Sequence, residues 1–441
     1  MTTLTRARTG PFAADYAALK AAAWLTPARE RAWERLQEAA SPSERRGNER
    51  WKYTDVRPLT SVPYRLAHAG ALPGLAEVKK IAPWDDAWTT LTFVDGHFAP
   101  ALSTEPTGRV AAGRLATATA SVQSLLEARL AKVQAIDEEY FTLLNTAFLS
   151  DGAYVHVPDN AVEERAVHLL FIASPAPSPR VAHPRTLVIA GKNSQSKFVE
   201  SYVSLADSDQ HFSNAVTEFF LDDGAQVEHY RILAENEKSH HIGNTRVHHM
   251  ANSRFNSISF AIGPAIGRND HHALIDGPGA ETNLSGLYMT TNGQHMDNNI
   301  SVNHEKPHGT SRQYYKGILA GKSRAVFSGI VVVKPGADKT FADQKDLNLL
   351  LSPGAEVDTK PSLEIFADDV KCFHGATAGH VDLDTLYYMR SRGIGLEAAT
   401  QMLIRGFAAE VVERIKLPAL ARYVEGVTEK MLPEFRLEVP K

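Results

Sequence analysis

The sequence predicts a mainly β protein, a β-solenoid core with helical regions at both ends. Three observations support this: short β-rich runs separated by turn residues from about residue 151, a faint internal repeat among those runs, and helical periodicity confined to the two ends. A two-sheet sandwich remains an alternative, because the repeat is weak and its spacing is irregular.

The N-terminal domain, residues 1–150, is predicted to be small and mostly helical. Apolar residues recur at steps of three and four within 11–41 and again within 121–149, as on one face of a helix. Between these segments, residues 90–97 read as a strand that enters a turn. The aromatic segment 48–59 is interpreted as a structural anchor.

The β-solenoid core is predicted over residues 151–384, and no helix of ordinary length fits between 185 and 383. Four turns share one pattern, a glycine followed by alanine and then an alternating strand: Gly224, Gly279, Gly336 and Gly354. Such self-similarity favours stacked rungs. Because the rungs of a solenoid leave its interior open at both ends, the terminal helical regions are expected to act as caps.

The C-terminal domain, residues 385–441, is predicted to be helical again. A short helix ends at Gly393, and a longer one follows with Pro418 just beyond it. The apolar face of the longer helix contains Leu396, Ala399, Leu403, Phe407 and Val411. This face either packs on the solenoid or docks a partner, and the pattern leaves both possibilities open.

Composition excludes several classes of protein. A net charge of −4 without a concentrated basic patch gives no support to nucleic-acid binding. A single cysteine in 441 residues rules out a disulfide scaffold and a complete cluster site within one chain, and it fits a reducing cytoplasm. The first residues carry no apolar leader, and no stretch is long and apolar enough to cross a membrane, so we expect a cytoplasmic protein.

No motif for nucleotide binding or serine hydrolysis is present, so any ATP chemistry must come from another subunit. Histidines are dense between residues 211 and 308, but adjacent histidines in a strand point to opposite faces. An alternative from another class is therefore an enzyme: either a metal hydrolase that uses His304, Glu305 and His308, or a carbohydrate-active β-helix protein.

The strongest candidate for chemistry is Lys-Cys-Phe-His-Gly-Ala-Thr at 371–377. In an extended strand, Cys372 and His374 project from the same face and lie side by side. A thiolate next to an imidazole suits iron, zinc or copper(I), and Lys371 is expected to favour the thiolate. The spacing alone also fits a structural interpretation, in which Cys372 is a small buried side chain and His374 is an ordinary structural histidine.

Residues 352–377 resemble the signature of the SufB/SufD iron–sulfur cluster assembly family, as do 49–54, 343–348 and 388–407. The Lys-Cys-x-His-Gly-Ala-Thr form is most like the SufD branch, because SufB carries an acidic Glu-His-Glu arrangement there. Phe373 stands where a small polar residue is expected in this family.

The resemblance implies a right-handed parallel β-helix with helical domains at both ends, and a scaffold rather than an enzyme. SufD pairs with SufB, and each binds the ATPase SufC through C-terminal helices, which places SufC docking on residues 395–415. Cys372 and His374 are then expected at the SufB–SufD interface, where iron or a nascent cluster binds transiently. A homodimer of the isolated chain is a further expectation, and no cofactor is expected to stay tightly bound.

Overall fold

The computed structural model describes residues 10–42, 48–106, 108–132, 139–206 and 209–437. The helices are α1 Gly10–Ala18, α2 Thr26–Glu38, α3 Arg57–Thr60, α4 Leu75–Ile81, α5 Ala120–Glu127, α6 Tyr140–Ala147, α7 Leu383–Ser391, α8 Leu396–Val412 and α9 Pro418–Met431. The strands are β1 Arg65–Leu66, β2 Thr89–Val94, β3 His97–Phe98, β4 Ala111–Arg114, β5 Ala153–Val157, β6 Val162–Ala173, β7 Arg180–Ala182, β8 Arg185–Ala190, β9 Gln195–Ser204, β10 His211–Leu221, β11 Gln226–Ala234, β12 His240–His249, β13 Arg254–Ile262, β14 Ile266–Ile275, β15 Glu281–Thr290, β16 His295–His304, β17 Thr310–Leu319, β18 Arg324–Val333, β19 Phe341–Leu350, β20 Glu356–Ile365 and β21 Lys371–His380.

The strands form a parallel β-solenoid of about eight turns, as the sequence predicts. From β8 onward, successive strands alternate between two sheets, which we call sheet 1 (β20-β18-β16-β14-β12-β10-β8-β5-β4) and sheet 2 (β21-β19-β17-β15-β13-β11-β9-β6-β2-β3). Each rung pairs with the next in parallel; Ile266, for example, lies opposite His295, 29 residues later. This parallel stacking removes the sandwich alternative.

Three of the four Gly-Ala turns, those at Gly224, Gly279 and Gly336, lie at the corner that leads from sheet 1 to sheet 2, whereas the turn at Gly354 leads from sheet 2 to sheet 1. Gly224 and Gly279 have positive φ angles of 70° and 71°, a conformation that glycine adopts without the steric cost of a side chain. A Cβ atom at Gly224 would also lie 2.4 Å from the Oδ1 atom of Asn193 in the neighbouring turn. The alanines that follow, Ala225 and Ala280, are fully buried. At these three turns, the faint repeat in the sequence is therefore the repeated corner of a rung.

Two strands that precede residue 150 extend the sheets. Strand β2 pairs in parallel with β6 in sheet 2, and β4 pairs antiparallel with β5 in sheet 1. The predicted helices within 11–41 and 121–149 are present as α1, α2, α5 and α6, although residues 133–138 lie outside the described part of the chain. The predicted domain boundaries at 150 and 384 stay predictions.

The expectation that helices cap both ends of the solenoid is wrong at the C-terminal end. Helices α8 and α9 pack on the outer face of sheet 2, where Ile404 and Leu420 join a buried cluster with Phe260 and Leu287. The last strand, β21, is exposed along almost its whole length. The outer face of sheet 2 offers more apolar surface than the end of a single rung, and packing there removes more apolar surface of the helices from water.

The aromatic segment 48–59 anchors the N-terminal region to sheet 1, as predicted. The guanidinium of Arg268 lies 3.9 Å above the centre of the Trp51 ring, and its Nη1 donates to the Arg50 carbonyl at 3.0 Å. The hydroxyl of Thr54 donates to the Asp297 carboxylate at 2.5 Å. The outer face of sheet 1 thus holds this segment by buried charges.

Candidate functional site

Cys372 and His374 lie on β21, the last strand of sheet 2. They occupy alternate positions of an extended strand, so both side chains are on the face that continues the interior of the solenoid. Their register partners on β19 are Ala342 and Gln344. Within the described residues, β21 pairs on one side only, so the thiol and the imidazole sit at the open end of the stack.

The thiol of Cys372 is half-buried and packs against the apolar interior of the solenoid. Burial raises the pKa of Cys372 above its usual value, and the hydrogen bond with the backbone of Ala342 opposes this only in part. The expectation that Lys371 promotes the thiolate is therefore wrong for the isolated chain. This thiol is therefore mainly protonated at neutral pH, and a bound metal ion would favour its thiolate form.

The imidazole of His374 is exposed to solvent. In the part of the chain that the structure describes, no three histidine, cysteine, aspartate or glutamate side chains are arranged to hold a metal ion. Cys372 and His374 supply two donors, whereas an iron ion or cluster is held by about four. The arrangement thus provides half of a ligand set, at a place where a second molecule has access.

The dense histidines between residues 211 and 308 mostly belong to the structure of the solenoid. His229 and His241 lie inside it and pair with the buried carboxylates of Glu200 and Glu235, at 3.1 and 2.8 Å. The His229 imidazole, together with the Arg231 guanidinium and the Tyr202 hydroxyl, lowers the pKa of Glu200 to about 2 against the opposing effect of burial. Paired in this way, the buried charges are tolerated in the interior.

The three residues of the metal-hydrolase alternative do not converge. His304 is fully buried and lies 2.9 Å from the Ser311 hydroxyl, whereas His308 is exposed on a turn with a φ of 62°. Glu305, next to His304 in the chain, lies just after the end of β16. The structure therefore does not bring these three residues together into one metal site.

The apolar face predicted for partner docking is largely used within the chain. Ala399 and Val411 are 0% and 2% exposed, and Leu403 and Phe407 are half-buried against the outer face of sheet 2. Lys316 fixes this contact, because its ammonium group donates to the Phe407 carbonyl at 3.0 Å and lies 4.2 Å above the ring. Of the five predicted residues, Leu396 alone is classed as exposed, at 40%.

Two exposed apolar patches were missed by sequence reasoning. The first, which we call the end patch, lies at the open end of the solenoid and consists of Ile365, Phe366 and Phe373. The second, the helix patch, consists of Tyr387, Tyr388, Leu396 and Met402 on α7 and α8. Leu396 belongs to the apolar face that the sequence predicts for α8, whereas Met402 falls outside that face. Exposed apolar patches of this kind mark interaction surfaces.

The fold and the site define a class of protein: a β-solenoid whose last strand exposes a thiol and an imidazole and whose helices lie along one side. In the described residues, no helix is both long and apolar enough to span a membrane. Comparisons with known proteins are specific. Residues 171–407 match the family model "SUF system FeS cluster assembly, SufBD core domain", and residues 13–169 match "SufBD protein N-terminal region".

The chain belongs to the SufBD family of iron–sulfur cluster assembly proteins. It is 32% identical to a SufBD family protein of Synechocystis, over 85% of this chain and 84% of that protein. It is also similar to the cluster assembly protein SufD of Escherichia coli, with 31% identity over 88% and 89% of the two chains. SufD of Bacillus subtilis is 27% identical over 67% of each chain. The similarity to SufD agrees with the sequence analysis.

Proposed function

We propose that this chain is a non-catalytic, SufD-like scaffold subunit that works in the cytoplasm with a SufB-type partner and the ATPase SufC. Its role is to help iron enter and a cluster form at the junction between two solenoids. One observation carries the proposal: a thiol and an imidazole, Cys372 and His374, lie on a terminal strand that pairs on one side only among the described residues.

The open end is suited to another β-rich chain. Strands β20 and β21 each present an unpaired edge in the described part of the molecule, and such edges accept a further strand. The end patch adjoins these edges, and a partner that covers the exposed Phe366 and Phe373 removes their apolar surface from water. A partner seated here brings its own ligands next to Cys372 and His374 and completes the set for a transient cluster. A second copy of this chain is the competing occupant.

Substitution of His374 tests the site. His374→Ala is expected to lower cluster formation by the assembled complex about tenfold or more, because one of two donors from this chain is lost. The unfolding temperature should hardly change, since the side chain is exposed. The measurement is cluster formation followed by absorbance on the complex of the full chain with SufB and SufC.

The control is His97→Ala, which removes an exposed histidine from a strand at the other end of the solenoid. It should leave cluster formation unchanged. Cluster formation by His374→Ala at the level of this control would sink the proposed site.

The helix patch is the surface that we propose for SufC. Met402 is half-exposed on α8, so Met402→Asp should fold normally and yet lose co-purification of the ATPase, because a charge is then buried in an apolar contact. Leu403→Asp is a poorer test, since Leu403 packs within the chain.

The matched control for docking is Arg422→Asp, which places the same side chain on an exposed position of α9. It should retain the ATPase. Full recovery of SufC with the Met402→Asp chain would show that docking uses another surface.

A further inference from the structure

Two side-chain amides, which we call the amide row, lie directly behind His374 in the interior of the solenoid. In the parallel register, His374 on β21 is opposite Gln344 on β19, and Gln344 is opposite Gln313 on β17. Side chains at such paired positions are on the same face, and neighbouring strands are about 4.8 Å apart. The next residue along this line, on β15, is the apolar Leu284. The amide row is therefore confined to the two rungs beneath the one that carries His374.

The amide row is buried and its polar atoms are unpaired. Gln313 and Gln344 are 2% and 1% exposed, and within the described residues neither the Oε1 nor the Nε2 atom of either side chain makes a hydrogen bond. Buried polar groups in native proteins nearly always have a partner. Along the row, the neighbours that can pair with these atoms are the other amide and the imidazole of His374.

The two amides are oriented so that a donor of one faces an acceptor of the other. A Cβ atom at Gly329 of β18 would lie 2.9 Å from the Oε1 atom of Gln313 and 2.9 Å from the Nε2 atom of Gln344. The oxygen of the inner amide and the nitrogen of the outer amide therefore adjoin the same small space. When Nε2 of Gln344 donates to Gln313, Oε1 of Gln344 remains to accept an N–H of the His374 imidazole. Hydrogen bonds joined in such a chain strengthen one another.

We propose that Gln344, supported by Gln313, is the positioning residue of His374: its Oε1 atom accepts the imidazole N–H and leaves the other ring nitrogen to bind iron. The proposal rests on the proposed function, because it takes His374 as a ligand of the iron. A neutral imidazole has one N–H and one nitrogen with a lone pair, and only the second binds a metal. Metal-binding histidines nearly always donate their N–H to a fixed acceptor, which sets the tautomer and the direction of the ring. Gln344 acts through His374 and does not itself bind the iron.

The tautomer of His374 in the metal-free, full-length chain tests the proposal. NMR of the chain labelled with nitrogen-15 histidine, at a pH of about 8 where imidazole is neutral, distinguishes the two ring nitrogens. The signals of His374 are those that His374→Ala lacks. Gln344→Met keeps the size but removes the amide, and it should shift the ratio of the two tautomers about fivefold. Gln344→Glu keeps an oxygen acceptor and should retain the favoured tautomer.

Gly329→Ala is the second variant, and it serves if Gln344→Met folds poorly. It leaves both amides in the chain, but its Cβ atom displaces them from the positions that they now hold. The tautomer ratio should therefore shift in the same direction as in Gln344→Met.

The control is Asp343→Asn, on the same strand but on its outer face, where Asp343 pairs with Lys345 at 3.1 Å. It should leave the tautomer ratio unchanged. The same ratio in the unmodified chain, Gln344→Met and Gly329→Ala overturns the positioning role; the proposed function then stands, provided that His374→Ala still lowers cluster formation by the complex. Normal cluster formation by His374→Ala overturns the proposed function, and with it the role of Gln344 in iron binding, whatever the tautomer ratio shows.

Discussion

Acidification from pH 7.5 to pH 5 is expected to remove most of the stability of this protein. Among the buried histidines, four have their pKa lowered by burial to about 3: His168, His183, His249 and His271. In the unfolded chain, histidine has a pKa of about 6.5. Below that value the unfolded chain binds protons at these histidines and the folded chain does not. The free energy of unfolding therefore decreases as the pH falls below 6.5.

The size of the effect follows from linkage. Each buried histidine costs about 1.4 kcal/mol per pH unit below 6.5, or roughly 2 kcal/mol at pH 5, which gives roughly 8 kcal/mol for the four. Asp346 acts in the opposite direction, because burial raises its pKa to about 7. Between pH 7 and pH 5 the folded state binds this proton and the unfolded state does not, so the free energy of unfolding rises by roughly 3 kcal/mol. The net loss of about 5 kcal/mol is comparable to the whole stability of many proteins.

Thermal melts at pH 7.5, 6.5, 5.5 and 5 measure this loss. His271→Asn should flatten the pH dependence by about one proton, because one buried imidazole is gone. An unfolding temperature that stays constant from pH 7.5 to pH 5 would contradict the buried, neutral state of these histidines.

Arg268→Ala is expected to be among the most destabilising single substitutions, at about 3–5 kcal/mol. The guanidinium is fully buried and makes two hydrogen bonds of 2.8 Å with Asp270, besides its ion pair with Asp297. Its removal leaves two carboxylates with much of their counter-charge gone, and it frees the ring of Trp51 from its stacking partner. The segment 48–59 should then detach from sheet 1.

Urea unfolding gives the loss of stability, and the part of the tryptophan fluorescence that is lost in a Trp51→Phe chain reports the loosening of the segment. The matched control is Arg312→Ala, because Arg312 forms an ion pair with Glu281 at 3.0 Å and its side chain is half-exposed. An exposed pair of this kind contributes about 0–1 kcal/mol, so the control should differ little from the unmodified chain. Equal losses for the two variants would mean that the buried network does not hold the segment.

The sequence predicts the solenoid well because its two signals are local. Alternation reveals the strands, and the positive φ of some corner turns favours a glycine there, such as Gly224 or Gly279. The placement of Cys372 and His374 on one face follows from the same period of two. These features need no knowledge of how distant parts of the chain meet.

The remaining features depend on contacts between distant residues. The apolar periodicity of Leu403, Phe407 and Val411 is the same whether the helix packs on its own sheet or on a partner, and the structure shows that it packs on sheet 2. The sequence also shows that Gln344, Asp346 and Asn348 alternate with other residues along one strand, but it does not show whether they face the interior or the solvent. Which face of that strand is inward becomes known only from the register of β19 with β17 and β21.

The order of the rungs has a consequence for synthesis. Each strand of sheet 2 pairs with the strand about 30 residues before it, so the stack can grow while the ribosome is still adding the later rungs. Strand β21 is the last strand of the stack to be synthesised, so Cys372 and His374 are added only after every earlier rung has left the ribosome. A chain that stalls or is cut short before residue 371 therefore never displays Cys372 and His374 at the open end of the solenoid.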